Sequence, residues 1–428
     1  MPRSTGCWDA RPPSRPPWPA ATSVPARSCS TDVTSTYVTG RACPLARHGY
    51  SRDHRPDRAQ VVFGLLLDAV GRPLSVEAFP GNTADPATLE DRLEALQGRF
   101  GIERFVLAGD RGMLTSARIE QLKERGGIDW ISALRAPAIK RLTKAGTLQL
   151  GLFDERDLAE ITSPEYPGER LVVCRNPALA AERARKREDL LAATERDLER
   201  VRTRVERGRL QREAAIGLAV GRVKGRHKMG KHFELDISEG SFGYRRRDEA
   251  IAAEAALDGL YVIRTSVPAA ELPSAAVVLA YKSLAHAERA FRNLKTVELE
   301  VRPIHHYRED RVRAHLFLCV LAAYVSWHLE RALAPLLFRD ESPPERPDPV
   351  APAPRSEAAR RKERRGRTAD DTLPVGSFAT LLHHLETLTE NRIAPRGAPD
   401  EHAYTQLAEP TPLQARAFEL LGFTPASV

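Results

Sequence analysis

The sequence predicts an α/β fold: a mixed sheet flanked by helices and interrupted by an insertion of strands plus a long charged helix. Three observations predict it. From Asp32 onward β-branched runs alternate with amphipathic stretches. Three strand-like runs follow one another before the first helix, and an Arg/Glu-rich stretch at i,i+4 spacing breaks the pattern beyond residue 138.

The elements follow in order. DVTSTYVT reads as a strand that Asp32 opens, and QVVFGLLL and PLSVEAF as two more, joined by a turn over Asp68 to Arg72 that contains Gly71. Asp85-Pro86 starts a helix whose apolar residues Leu89, Leu93, Leu96 and Phe100 recur at helical spacing. RFVLAGD is a short apolar strand of the buried, parallel type, ending at Asp110 with Gly112 behind it. TSARIEQLKERGG supplies a second helix, capped by Thr115 or Ser116 and stopped by Gly126-Gly127, and IDWISAL makes another strand.

Residues 139–250 break the pattern and read as an insertion. Strand signals GTLQL and RLVVC lead into a charged helix from about Leu179 to Ala215, and HFELDIS and SFGYRRR close the segment as strands. The core texture then resumes over 251–337. It comprises helix RDEAIAAEAALDG, strand LYVIRTS, one helix AVVLAYKSLAHAERAFRNLK, and a second from about Glu309 to Leu337. The core is therefore expected in two parts, 31–138 and 251–337. Residues 1–30 have the Pro-Arg-Ser composition of a disordered leader, 338–372 that of a solvated linker, and 373–428 that of a helical tail.

The net charge of +8 and pI near 9.3, with Arg far more common than Lys, suit a polyanionic partner. Codon bias in a GC-rich genome would give the same balance. Five cysteines without CxxC spacing indicate neither a zinc site nor a disulfide framework, and a reducing cytoplasm follows as the expected compartment. The apolar run Leu316 to Trp327 is shorter than the ~20 residues of a membrane span and reads as a buried helix, so no membrane is expected. His305, His306 and His315 fit no zinc spacing.

Phosphodiester chemistry with two Mg2+ ions about 4 Å apart requires acidic side chains that converge on one point, and hard oxygen ligands suit that ion. Asp110, at the carboxyl end of its strand, occupies the usual ligand position of an α/β sheet, and strand pairing can bring Asp32 beside it. The plainer readings are a strand-edge polar residue and a helix cap. Glu288 shares one helical face with Tyr281, Leu284, Arg292 and Lys295, next to an apolar stripe of Ala287, Phe291 and Leu294. Its plainer role is a surface ion pair with Arg292, worth roughly 0.3 to 0.5 kcal/mol. Asp53 and Asp57 sit among arginines and read as partners of loop ion pairs, with Arg52 and Arg55 as secondary candidates for DNA contact.

These residues resemble a family. YKSLAHAERAFRNLK is similar at Tyr281, Glu288 and Lys295 to the Tyr-x2-Arg-x3-Glu-x6-Lys signature of one branch of bacterial insertion-sequence DDE transposases. DVTSTY, GYSRDHRPDRAQVVFGLL, FPGNTADPATL, VLAGDRGM, LDGLYVIRT and VRPIHHYREDRVRAH also resemble that branch, over most of residues 31–335. The resemblance implies an RNase H-like core with catalytic, metal-binding Asp32 on its first strand, Asp110 on its fourth and Glu288 on a late helix. It implies two Mg2+ ions, replaceable by Mn2+, and cleavage and strand transfer on double-stranded DNA, transposon ends and target, by a homodimer associated with the cytoplasmic nucleoid. Tyr281 and Lys295 would contact phosphate, with Arg292 or Arg289 replacing the signature arginine whose place Leu284 takes. Lys224, Arg226, Lys228 and Lys231 would offer a further DNA surface. The leader resembles DNA read in a wrong frame, and the expectation is an amino-terminally truncated or frame-shifted copy. A nuclease without strand transfer and an inactive DNA-binding remnant are the alternatives.

Overall fold

The chain opens as a meander of β1 (Ser28–Tyr37), β2 (Gln60–Asp68) and β3 (Pro73–Pro80). The computed structural model describes residues 28–422 except 41, 95–103, 149–152, 154–156, 297–298, 347, 395 and 397–403. Most of the expected leader, Leu96 and Phe100 of the first helix, and part of GTLQL lie outside the described residues. The strand starts earlier than the sequence pattern suggests, so Asp32 stands inside it. Buried Ser30 and Thr31 precede it, and Thr31 Oγ1 donates to the Leu65 carbonyl. Short polar residues hide this stretch from a hydrophobicity reading.

Next come α1 (Leu89–Glu94), β4 (Phe105–Gly109), α2 (Ser116–Arg125), β5 (Ile128–Ala133) and α3 (Ala136–Lys144). The region after them holds β6 (Leu158–Ile161), β7 (Arg170–Arg175), α4 (Pro177–Glu206), α5 (Glu213–His227), β8 (Phe233–Ser238) and β9 (Ser241–Arg246). The single long helix expected here is two, because Gly208 takes the left-handed φ of 69° that closes α4. Core elements resume with α6 (Asp248–Ala255), β10 (Leu260–Thr265), α7 (Ser274–Lys282), α8 (Leu284–Lys295) and α9 (Glu309–Ala332).

One eight-stranded sheet organises these elements in the order β3-β2-β1-β4-β5-β10-β7-β6. β1, β2 and β3 pair antiparallel, β1, β4 and β5 parallel, and β10 antiparallel to β5. This is the mixed, helix-flanked sheet that the sequence predicts. β6 and β7 extend its far edge through β10, so only α4, α5, β8 and β9 stand apart, around their own core of Leu191, Leu198, Ile216, Val220 and Phe233.

Two helical layers cover the sheet. Against one face α1 and α2 pack Leu89, Leu93, Ile119 and Leu122 onto Val33, Val62, Leu66 and Leu107. On the other, α8 and α9 cover β1 and β2, and α7 covers β4 and β5. Phe291 of α8 meets Phe63 of β2 edge to face at 5.6 Å, a contact worth about 0.5 to 1.5 kcal/mol beyond its buried area. Gly71, at φ +83° in the β2–β3 turn, lies so close to His286 of α8 that a Cβ there would meet the imidazole at 2.8 Å.

Three expectations are corrected. The helix through 275–295 breaks at Ser283, whose hydroxyl donates to the Ala280 carbonyl and competes with the helical ladder. α9 is buried on one face only. Val312, Leu316, Cys319 and Val320 enter the core, whereas Phe317, Leu318, Leu321, Tyr324 and Val325 are exposed. By length and composition alone α9 is apolar enough to cross a membrane. Finally, the segment 338–372 holds α10 (Glu357–Arg365), anchored by the buried Lys362. Its ammonium donates to the carbonyls of Ala334, Leu337 and Arg339 and pairs with Glu341 at 2.5 Å. Lys282 of α7 likewise donates to the carbonyls of Pro349, Val350 and Ala351, and these bonds hold a segment whose composition looks solvated. In the tail, α11 (Phe378–Glu386) and α12 (Pro412–Leu421) flank a hairpin of β11 (Glu390–Ile393) and β12 (Tyr404–Leu407).

Candidate functional site

Strand register places the first two carboxylates. In the parallel ladder Thr31 is level with Gly109, so Asp32 and Asp110 occupy the next position on neighbouring strands. Side chains alternate along strands. Asp32 is opposite Leu65, which packs beneath α8, and Ala108, two residues before Asp110, packs beneath α7. Both carboxylates therefore face the α7–α8 layer.

Asp110 ends β4 in a tight turn. Its Oδ1 accepts from the backbone N–H of Gly112 at 2.6 Å and of Met113 at 2.8 Å, while Thr115 caps α2 without a side-chain bond. A Cβ at position 112 would stand 3.0 Å from that oxygen. Asp110 thus braces the turn that follows β4, ahead of α2, and is exposed. Asp32 Oδ1 accepts from the N–H of Val33 at 2.7 Å.

Glu288 comes from α8 over the same face. It is exposed, and among the described residues it forms no ion pair, so the pairing with Arg292 expected of a plain surface helix is not made. Tyr281, at the end of α7, reports where it stands. Burial pushes this phenol's pKa up, and the carboxylates of Asp110 and Glu288 push it the same way while Arg111 opposes them. Two acids far apart in the chain thus act on one hydroxyl. Their donor chemistry, hard carboxylate oxygens from three elements, fits a divalent cation. Among the described residues, however, no three His, Cys, Asp or Glu side chains are gathered within ligating reach of one point.

The basic candidates divide. Arg289 and Arg292 are exposed on α8 and make no ion pair among the described residues. Lys295 is turned inward instead. Its ammonium donates to Thr34 Oγ1 and the Ser35 carbonyl, both at 2.7 Å, and to Asp53 Oδ1 at 2.9 Å, which engages all three of its protons. Arg302 Nη1 joins Asp53 Oδ1 at 2.6 Å. Asp53 is therefore no loop ion pair, and nothing in its sequence neighbourhood signals a partner 242 positions away. Arg52 grips Asp85, and Arg55 pairs with Asp57.

Sequence reading misses a cleft beside Asp110. Arg111, Lys140, Arg183, Lys186, Arg187 and Lys231 line it from the turn after β4, from α3, from α4 and from the segment before β8. Lys186, Arg187 and Lys231 are paired with Glu182, Asp258 and Glu254, whereas Lys140 and Arg183 have no ion pair among the described residues. Of the basic residues expected on the insertion, Arg226 pairs with Asp197. His315 Nε2 donates to the Val301 carbonyl at 3.2 Å, and His305 meets Thr39.

The pattern of a transposase DDE domain matches residues 27–325. The chain belongs to the transposase DDE domain family. That span holds Asp32, Asp110, Glu288 and all six strands from β1 to β5 and β10 that build the site's end of the sheet. Among solved structures, this DDE-domain chain is similar to piggyBac transposase in its cryo-EM synaptic complex with hairpin DNA. The likeness has 7% identity and a TM-score of 0.36, over 71% of this chain and 47% of that one. The chain thus spans about half the length of the transposase it matches. No curated protein matches it.

Proposed function

We propose that the protein is the transposase of an insertion sequence, cutting DNA at transposon ends and joining the freed ends to target DNA. The likeness at Tyr281, Glu288 and Lys295 supports placing it in the Tyr-Arg-Glu-Lys branch. The reading rests on one observation above all: Asp32 and Asp110 stand side by side beneath the helix pair that carries Tyr281 and Glu288. Asp32, Asp110 and Glu288 would hold two Mg2+ ions, with Mn2+ as a substitute. Bound there, the ions would activate water and stabilise charge on the attacking and leaving oxygens.

The chain's own groups then position DNA. The raised pKa of Tyr281 keeps its hydroxyl protonated at neutral pH, a donor for a phosphate oxygen. Arg289 and Arg292 lie one and four residues beyond Glu288, and neither guanidinium has an ion pair among the described residues, which leaves both for phosphate. The cleft from Arg111 to Arg183 extends the positive surface away from Asp110 along a path for the duplex backbone. The DNA substrate implies a nucleoid-associated enzyme of the cytoplasm, acting as a homodimer that pairs two ends.

A second reading, a DNA-binding protein without chemistry, is favoured by the open spacing of the three acids. End-labelled transposon DNA incubated with the protein and Mg2+ or Mn2+ separates the possibilities. Nicked and joined products support the transposase, nicked products alone support a nuclease, and retention of DNA without any product supports the second reading.

A further inference from the structure

The cluster of Asp53, Lys295 and Arg302 has no part in the reading above. Asp53 is 2% exposed at its side chain and Lys295 12%. Its carboxylate is fully engaged: Oδ1 accepts from Lys295 and Arg302, and Oδ2 from the N–H of Tyr37 at 3.3 Å. Arg302 Nε also donates to the Lys295 carbonyl at the carboxyl end of α8, where a cation is favoured. Burying the charges of Asp53 and Lys295 is costly, and well-packed apolar groups commonly stabilise a core as well or better. What an ion cluster adds is direction.

At its carboxyl end α8 gets that direction from Lys295, as it gets it nearer its start from His286 against Gly71. Its apolar contacts with β1 and β2 run through Ala287, Phe291 and Leu294, with Phe291 edge to face on Phe63. Lys295 acts through Thr34 Oγ1 and the Ser35 carbonyl. Glu288 lies two turns before Lys295 on the same helix face, about 10 Å away. Asp32 lies two residues before Thr34 on the same strand face, about 7 Å away. The bond between Lys295 and Thr34 therefore fixes how Glu288 is seated relative to Asp32, and Asp53 holds Lys295 in that bond.

We propose that Asp53 is a positioning residue: through Lys295 and Arg302 it locks the axial register of α8 on β1 and so sets Glu288 against Asp32 and Asp110. The inference rests on the reading that these three acids bind divalent metal. It assigns the Lys295 ammonium to the interior of the site.

The test is Mn2+ affinity of the full-length chain, measured by isothermal titration on the parent, Glu288→Gln and Asp53→Asn. Asp53→Asn keeps the shape of the side chain and removes its charge. We expect its Mn2+ dissociation constant to rise about tenfold, as when a residue that orients metal ligands is changed, while thermal unfolding stays a single transition. A residue that serves stability alone would lower the melting temperature and leave Mn2+ affinity unmoved. If Asp53→Asn does not fold, the double variant Asp53→Asn/Lys295→Met replaces the buried charges with neutral groups, and the same tenfold weakening is expected. Parent-like Mn2+ affinity in the folded variant, together with weakened binding by Glu288→Gln, overturns this inference alone. A parent chain that binds no Mn2+, or a Glu288→Gln chain that binds it like the parent, overturns the metal reading beneath it.

Discussion

Asp32 on β1 and Asp110 at the end of β4 are level with each other across a parallel ladder, and both face α7 and α8. Either side chain alone caps or borders a strand, as Asp110 does for the turn at Gly112. Together they make an acidic pair that a cation would relieve. Asp32→Asn and Asp110→Asn are each expected to lower metal-dependent DNA cleavage by on the order of a hundredfold, the scale of deleting one group that stabilises transition-state charge. Filter binding of the same DNA should change little. Single-turnover cleavage of labelled ends measures the first, and loss of binding in parallel with cleavage would contradict the separation of roles.

The cleft beside Asp110 predicts a salt signature. Lys140 and Arg183 are exposed there without ion pairs among the described residues. Lys140→Ala and Arg183→Ala should each weaken DNA binding evenly across sequences and reduce the slope of log K against log salt by about 1. Titrations at several NaCl concentrations give that slope. An unchanged slope removes the cleft from the DNA path.

His286 predicts how stability varies with pH. Burial against the β2–β3 turn pushes its pKa down first, Arg289, Arg331 and Arg339 push it further down, and only Asp68 opposes. Its folded value thus lies below the ordinary imidazole value of about 6.5. Above that value both the folded and the unfolded chain carry it neutral, and no stability is lost. As pH falls below it the unfolded chain takes up a proton that the folded chain refuses, so stability falls with acidification. His286→Gln should flatten that acid limb in urea melts recorded between pH 7 and pH 5, and an equally steep limb would show that other groups set it.

Lys362 predicts a cooperative attachment of the segment after α9. Its ammonium satisfies three carbonyls on 334–339 and the Glu341 carboxylate. Lys362→Ala leaves them without that donor and is expected to cost about 1 to 3 kcal/mol. Amide exchange over 334–341 should quicken while β1 to β5 keep their protection. Uniform exchange changes throughout the chain would contradict a local anchor.

The sheet was legible wherever apolar periodicity carried it. RFVLAGD, QVVFGLLL and LYVIRTS appear as β4, β2 and β10, and the Gly71 turn sits where punctuation placed it. Polar cores were opaque. Ser30 and Thr31 are buried strand residues with the composition of a linker, and Lys362 is a buried base in a segment of surface texture. The place of Asp110 at the end of β4 was legible because an α/β sheet gives that position meaning, whereas Asp32, read as opening its strand, stands inside β1. The inward turn of Lys295 was not, since a lysine on a helix face reads the same whether it meets solvent, phosphate or a buried Asp53. Long-range pairing is what a single sequence leaves unstated.

Transposase chemistry here requires that Asp32, Asp110 and Glu288 meet at a metal. A crystal of the full chain soaked in Mn2+ and recorded near the manganese absorption edge tests it directly. The expected result is an anomalous peak bounded by carboxylate oxygens of Asp32, Asp110 and Glu288. An ordered site with no peak there, or a peak held elsewhere while Glu288 remains in solvent, would contradict it.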